Sequence, residues 1–203
     1  QLYVAIRMRG SALHIIFFLV SMGVLGSVIG NLYLVNADTA AEAASATRIR
    51  VIFGGISIAL APWFASFYTG FRPLKFLVAF SVLVLAFVAA RVIDPNLLVY
   101  SAILDPVHII LPWNERLASF NAHTNRWMYV YNAFSIAGLV YIYLSAVYQY
   151  RRGERGRALA LLAAVTFVVA AIVHDMVVIM NGMRWILLGD SGWLTMVLLL
   201  DVR

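Results

Sequence analysis

The chain alternates long apolar runs with short polar connections, and this pattern predicts membrane-spanning helices. A span needs about 20 apolar residues, because an α-helix advances about 1.5 Å per residue across a hydrocarbon core of about 30 Å. Five runs are long enough, at about residues 12–35, 48–70, 75–93, 127–149 and 158–181. Shorter apolar pieces at residues 2–6 and 187–203 predict two partial spans. We therefore expect a fragment of a longer protein with seven spans.

Prolines and charges mark where the predicted helices end. Arg72-Pro73 and Asp94-Pro95 stop helices, because proline lacks an amide hydrogen and restricts the residue before it. The charged run at residues 151–157 predicts a tight turn between two spans. The longest connection, residues 94–126, is rich in apolar residues. We predict that it folds as a cap over the outer mouth of the bundle, such as a small hairpin; a passive connector is the alternative.

The composition supports an all-α membrane protein. Hydrophobic residues make up 64% of the 203 residues and charged residues 12%, with a mean hydropathy of +0.91. Soluble domains are typically about 45 to 50% apolar and about 25% charged. The net charge of +6 would suggest nucleic-acid binding in a soluble protein. Because these basic residues lie between apolar runs, we expect the lipid bilayer as the partner and no nucleic acid.

The distribution of basic residues orients the predicted bundle. If the chain crosses at every span, one side collects nine basic residues and the other collects six. The nine are Arg7, Arg9, Arg72, Lys75, Arg151, Arg152, Arg155, Arg157 and Arg203. Basic residues are enriched in cytoplasmic loops. We therefore expect the N-terminus of the parent chain outside and its C-terminus in the cytoplasm.

Several chemistries are absent from the sequence. There is no cysteine, and the only lysine, Lys75, lies at the predicted cytoplasmic edge, so a retinal Schiff base at mid-membrane is excluded. A membrane haem with paired histidine ligands needs them at matched depth, whereas His14 and His174 lie in opposite halves. No motif of a hydrolase, a zinc protease or a phosphate-binding loop occurs. We expect no cofactor, no metal and no catalytic residue in this chain.

Asp175 is the clearest candidate functional residue. It lies in the outer third of its predicted span, where an ionisable group is costly and by default indicates function. Arg50 and Arg91, both near outer helix ends, are its expected partners. We predict that these three form the polar core of a ligand site. A structural salt bridge or a hydrogen bond between helices is the alternative.

Three more residues at similar outer depth are second candidates for the same site. They are Asn31, Asn132 and His174, and we expect them to line an outward-opening pocket.

Small residues predict two further features. Gly26-x-x-x-Gly30 allows a close helix contact, and a neighbouring helix is favoured over a second protomer as the partner. Gly54-Gly55 and Pro62 weaken or kink the second full span. That helix is either a moving part or statically bent.

The layout resembles the seven-helix sensor module at the N-terminus of bacterial sensor histidine kinases and diguanylate cyclases. The resemblance covers nearly the whole chain. It rests on four features: a basic-ended helix tail (residues 2–9) before a Gly/Ser-rich helix, the ending Phe67-Tyr68-Thr69-Gly70, the long outer loop, and His174-Asp175 followed by Gly192-Trp193-Leu194.

The resemblance implies a multi-pass sensory input domain of the bacterial inner membrane. Such a domain would bind an unidentified small ligand in its outer half and signal through the last helix to a cytoplasmic output domain. It would also form a homodimer. No kinase or cyclase segment follows Arg203 in this sequence. A transporter, with the intramembrane charges along a substrate path, is one alternative. An accessory subunit of a membrane complex, which needs no polar pocket, is another.

Overall fold

Five long helices form a bundle. The computed structural model describes residues 12–94, 96–110, 114 and 116–180, the last six through their backbone only. The helices are α1 (Ala12–Val35), α2 (Ala40–Thr69), α3 (Leu74–Ile93), α4 (Trp127–Arg151) and α5 (Arg155–Met180). All five are long and apolar enough to cross a membrane, which confirms the prediction of five apolar helices of spanning length. The predicted partial spans at residues 2–6 and 187–203 lie outside the described residues.

Helix α2 is the centre of the bundle. It packs against α1, α3 and α4, whereas α5 packs against α4. Half of its apolar segment is buried, compared with a third or less for the other helices. Thr39 caps its start by accepting a hydrogen bond from the Glu42 amide (3.3 Å), and Gly70 ends it in the left-handed conformation, with φ at 76°. Pro62 lies within this helix, which continues past it.

Glycines bring α1 very close to α2. A Cβ atom at Gly30 would lie 2.7 Å from Arg50 Cγ and 2.9 Å from Arg50 N, and one at Gly26 would overlap the Phe53 ring. A Cβ atom at Gly23 would overlap Ser57 Oγ. Small residues at this spacing let helix backbones approach closely. The neighbouring helix, rather than a second protomer, is therefore the partner of the glycine stripe.

The connection between α3 and α4 contains a β-hairpin, so the expectation of a purely α-helical fold was incomplete. Strands β1 (Tyr100–Ile110) and β2 (Arg116–Thr124) pair antiparallel, from Tyr100 opposite Thr124 to Ile110 opposite Arg116. Of the two alternatives for this connection, the folded hairpin is the one observed. Strand β1 contacts α2 and strand β2 contacts α1. The small hairpin was expected as a cap over this connection, but the all-α fold class did not include its two strands.

Polar contacts fasten the hairpin to the turn between α1 and α2. Asp105 Oδ1 accepts a hydrogen bond from the Ala40 amide at 2.8 Å, at the start of α2. His108 Nε2 lies 3.6 Å from Asp38 Oδ1. Phe120 packs against the buried cluster Leu34, Ala37, Ala43 and Ala46. A carboxylate at a helix N-terminus is stabilising because it accepts from an otherwise unpaired amide and opposes the helix dipole.

The two basic turns lie together at the opposite end of the bundle. Gln149 Nε2 donates to Tyr68 O (3.4 Å), and Tyr141 Oη donates to Phe71 O (2.8 Å), so the α2–α3 turn touches the end of α4. We call this the basic end and the opposite one the hairpin end. The cationic residues of the basic end are Arg72, Lys75, Arg151, Arg152, Arg155 and Arg157.

Adjacent glycines in α2 should respond oppositely to alanine. The Gly54→Ala variant should have a free energy of unfolding higher by up to about 1 kcal/mol and should therefore unfold at a higher temperature. Alanine favours helix, and the new methyl meets only Ser27 Oγ at 3.7 Å. Gly55→Ala should lose about 1–3 kcal/mol, because its methyl overlaps Val88. Thermal unfolding of both variants in one detergent measures this. Equal shifts of the same sign would contradict the packing described.

Glu154 in the α4–α5 turn should make stability depend on acid pH. Hydrogen bonds from Gln149 Nε2 (3.0 Å) and Arg157 Nη1 (3.3 Å) lower the pKa of its carboxyl below 4.5. Its contribution is therefore present above pH 4.5 and lost as the pH falls through the lowered pKa. The melting temperature of the native chain should exceed that of Glu154→Gln near neutral pH, and the gap should close in acid. A gap that is constant with pH would contradict this.

Candidate functional site

A cavity of about 210 Å³ lies at the hairpin end, where four helices meet β1. Its polar lining comes from α1, α2, α3, β1 and α4, and consists of Ser27, Thr47, Arg50, Ser57, Arg91, Tyr100 and Tyr131. Val24, Val51, Ile58 and Met128 supply apolar walls. Gly54 and Gly55 also line it. Concave sites with apolar walls and a few polar groups are typical of small-ligand binding.

Arg91 carries a buried charge into this cavity. It lies in the last turn of α3 and is only 5% exposed. Its Nε donates to Leu97 O at 3.4 Å, and its guanidinium lies 4.7 Å from the centre of the Tyr131 ring. Both contacts stabilise a cation, the first through a carbonyl dipole and the second through the electron-rich ring face. The charge is thereby held at the cavity wall.

A strained turn presents the Leu97 carbonyl to Arg91. Leu97 and Leu98 both have left-handed backbone conformations, with φ at 56° and 57°, which cost of order 1–3 kcal/mol each. Asp94 Oδ1 accepts from the Leu98 amide at 3.0 Å, and Asn125 Nδ2 donates to Leu98 O at 2.6 Å. Leu97 and Val99 are fully buried. Burial and hydrogen bonds hold this conformation, and strain of this kind is concentrated at functional sites.

Arg50 and Tyr100 complete the polar wall. Arg50 extends from α2 and its stem packs on Gly30, where a side chain would leave no room for it. Tyr100 begins β1, and its ring packs edge-on against Phe120 with centroids 5.1 Å apart. Burial raises the pKa of Tyr100 above 10.0, while Arg91 and then Arg50 oppose that rise. The phenol is therefore neutral near pH 7 and keeps its hydrogen-bond donor.

The structure brings together two of the six residues predicted to form the ligand site. Arg50 and Arg91 line the same cavity. Asn31 on α1, Asn132 on α4 and His174 on α5 are half-buried and do not line it. Asp175 lies in α5, but its side chain is outside the described residues. Its predicted contact with the two arginines therefore stays a prediction.

The sequence analysis missed some residues of the site. Thr47 lies one turn before Arg50, so helical spacing alone placed both on one face of α2. Ser27 follows Gly26 in α1, where the glycine spacing predicted only a close helix contact. Tyr100 had no such signal, because the pairing of β1 with β2 and their packing on α1 and α2 bring it to the cavity.

The described part of the cavity lining is cationic. It contains two arginines and no aspartate or glutamate. Within the described residues there is also no group of three side chains suited to a metal ion. The arrangement can attract and orient an anion.

Comparisons with known protein families, curated proteins and solved structures found no match to this chain.

In the folded protein, Tyr100 should lose its phenolic proton at a higher pH than an exposed tyrosine does. Because burial raises its pKa above 10.0, the folded chain should keep this phenol protonated at a pH where an exposed tyrosine ionises. The unfolded state loses the proton first, so stability falls as the pH rises through this range. The difference in phenolate absorbance between the native chain and Tyr100→Phe measures the titration. A difference that develops below pH 10 would contradict the burial of Tyr100.

Proposed function

We propose that this chain is a membrane-embedded sensory input domain. A small ligand binds in the cavity at the hairpin end, and the resulting change in helix packing reaches the basic end and an output domain beyond it. The hairpin end faces the outside of a bacterial inner membrane and the basic end faces the cytoplasm. The clustering of Arg72, Lys75 and the arginines of the α4–α5 turn at one end supports this orientation, because cytoplasmic loops are rich in basic residues.

The observation that carries the proposal is the position of the cavity between four helices and β1. Its lining comes from α1, α2, α3, α4 and β1, so a bound ligand would contact all of them at once. A ligand shifts a conformational equilibrium only through different contacts in the two states. A site shared by four helices meets that requirement, because any change in their packing changes the site.

Helix α2 offers the route from the cavity to the basic end. Arg50 lines the cavity and Thr69 ends the helix 19 residues later, which corresponds to about 28 Å. The carbonyl of Tyr68 accepts a hydrogen bond from Gln149 near the end of α4. A shift or rotation of α2 at the cavity would therefore alter its contact with α4 at the basic end, as in other helix-shift transitions.

Spin labels at the basic end should report occupancy of the cavity. The chain has no cysteine, so a Lys75→Cys and Arg151→Cys pair can be labelled without background. Both positions are exposed, one at the start of α3 and one at the end of α4. We expect the distance distribution, measured by pulsed electron paramagnetic resonance in nanodiscs, to shift with at least one of benzoate, benzamide and benzylammonium.

A matched control uses two positions on one helix. Lys75→Cys paired with Ala89→Cys places both labels at exposed positions of α3, 14 residues or about 21 Å apart, and should give the same distance with every probe. An unchanged Lys75–Arg151 distribution with all three probes contradicts the proposal. Uptake of a probe into liposomes containing the protein would favour a transporter instead.

A further inference from the structure

We infer that the cavity binds a small organic monoanion, with its anionic head held by Arg50, Arg91 and Tyr100 and its apolar body against Val51, Ile58 and Met128. This inference names the ligand class and rests on the proposed function, because that function makes the cavity the ligand site. The sequence analysis left the ligand unidentified. The buried cationic groups and the apolar walls, which meet in one cavity, now restrict its chemistry.

Arg91 is the first reason. Its guanidinium has five N–H donors, and the structure shows one in use, from Nε to Leu97 O. Among the residues described, its contacts are that carbonyl and the Tyr131 ring, and neither carries a negative charge. A charged group at 5% exposure is costly to bury unless an opposite charge accompanies it. An anion in the cavity would supply that charge.

Arg50 and Tyr100 are the second reason, because they border the same cavity as Arg91. Both arginines act on the phenol of Tyr100, since each lowers its pKa against the larger effect of burial. Two guanidiniums, which can only donate hydrogen bonds, and one neutral hydroxyl, which can donate and accept, come from three elements, α2, α3 and β1. Carboxylate and phosphate oxygens bind guanidinium through two parallel hydrogen bonds, which is the strongest pairing available to such a site.

The other hydroxyls of α2 at the cavity are already bonded within the protein. Thr47 Oγ1 donates to Ala43 O at 2.7 Å, and Ser57 Oγ donates to Val20 O at 3.3 Å. Their protons are therefore used, and they add no donor for a neutral polar ligand such as a sugar. The charge that would select an anion comes from the two arginines of the lining, with the Tyr100 hydroxyl at the same cavity.

The volume and the walls limit the body of the ligand. A cavity of about 150 Å³ accommodates benzene. The space here, about 210 Å³, therefore suits a molecule of about eight to ten non-hydrogen atoms. Inorganic phosphate would leave the walls at Val51, Ile58 and Met128 uncovered, and a whole phospholipid is too large. The same chemistry could arrive as a free organic acid or as the head of an anionic lipid, and the test separates these sources.

The test compares probes of one shape and different charge. The purified chain in phosphatidylcholine nanodiscs is titrated with benzoate, benzamide and benzylammonium, and with hexanoate as an anion of another shape. We expect benzoate or hexanoate to raise the melting temperature and to bind at least ten-fold more tightly than benzamide, with benzylammonium the weakest. Binding of neither anion, or equal binding of benzoate and benzamide, would overturn the inference.

Variants assign the binding to the cavity. Arg91→Gln keeps an amide donor and removes the charge, so benzoate affinity should fall about ten-fold or more while benzamide affinity is unchanged. Arg116→Gln, at an exposed position of the hairpin outside the cavity, is the matched control and should bind as the native chain does. If Arg91→Gln fails to fold, benzoate affinity is measured on Arg50→Gln and Tyr100→Phe instead, and it should fall in both. Full benzoate affinity in folded variants of this set would overturn the inference.

Two further comparisons assign the source and separate this inference from the proposed function. At an ionic strength that screens the surface charge of the lipid, weaker benzoate binding in phosphatidylglycerol than in phosphatidylcholine nanodiscs supports the anion site and identifies a lipid headgroup as the competitor. Equal binding supports a free acid. Benzoate binding without a change in the Lys75–Arg151 distance leaves the anion site standing and refutes sensing. A distance change with benzamide or benzylammonium but with neither anion refutes the anion site alone.

Discussion

The close packing of α1 against α2 determines where the other parts of the bundle lie. Gly26 and Gly30 let the two backbones approach so nearly that a methyl group at either would collide with Phe53 or Arg50. In a membrane, where apolar side chains gain little by leaving lipid, such contact between small residues is a main source of helix association. Helix α2 lies at the centre; α3 and α4 also pack against it, and the hairpin contacts both α1 and α2.

The cationic cavity depends on this arrangement. Arg50 lies where Gly30 makes room for its stem, and Arg91 reaches the same space from the end of α3. Burying a guanidinium and holding two leucines in left-handed conformations both cost free energy. The fold offsets these costs with the Leu97 carbonyl, the Tyr131 ring and the buried Leu97 and Val99 side chains. A buried charge and a strained backbone at one wall of a cavity are typical of functional sites.

The hairpin connects the cavity to the turn between α1 and α2. Through Asp105 it accepts a hydrogen bond from the first residue of α2, and through Tyr100 it contributes a donor to the cavity. A ligand that moved β1 would therefore act on α2 both at the cavity and at its N-terminus. The basic end lies at the far end of the same helix, where α2 contacts α4 through Tyr68 and Gln149.

The sequence by itself determined the five long helices, since runs of apolar residues ended by prolines, glycine and charge indicate them. The start of α2 at Ala40 lies eight residues before the span predicted from 48 to 70. The sequence also singled out Arg50 and Arg91, because charges are rare and costly near the membrane interior. Only the tertiary structure decided that these two share one cavity with Tyr100, while Asn31, Asn132 and His174 lie elsewhere. Depth along a helix can be counted from sequence, but the direction each residue faces depends on helix packing and strand pairing, which join residues far apart in the chain.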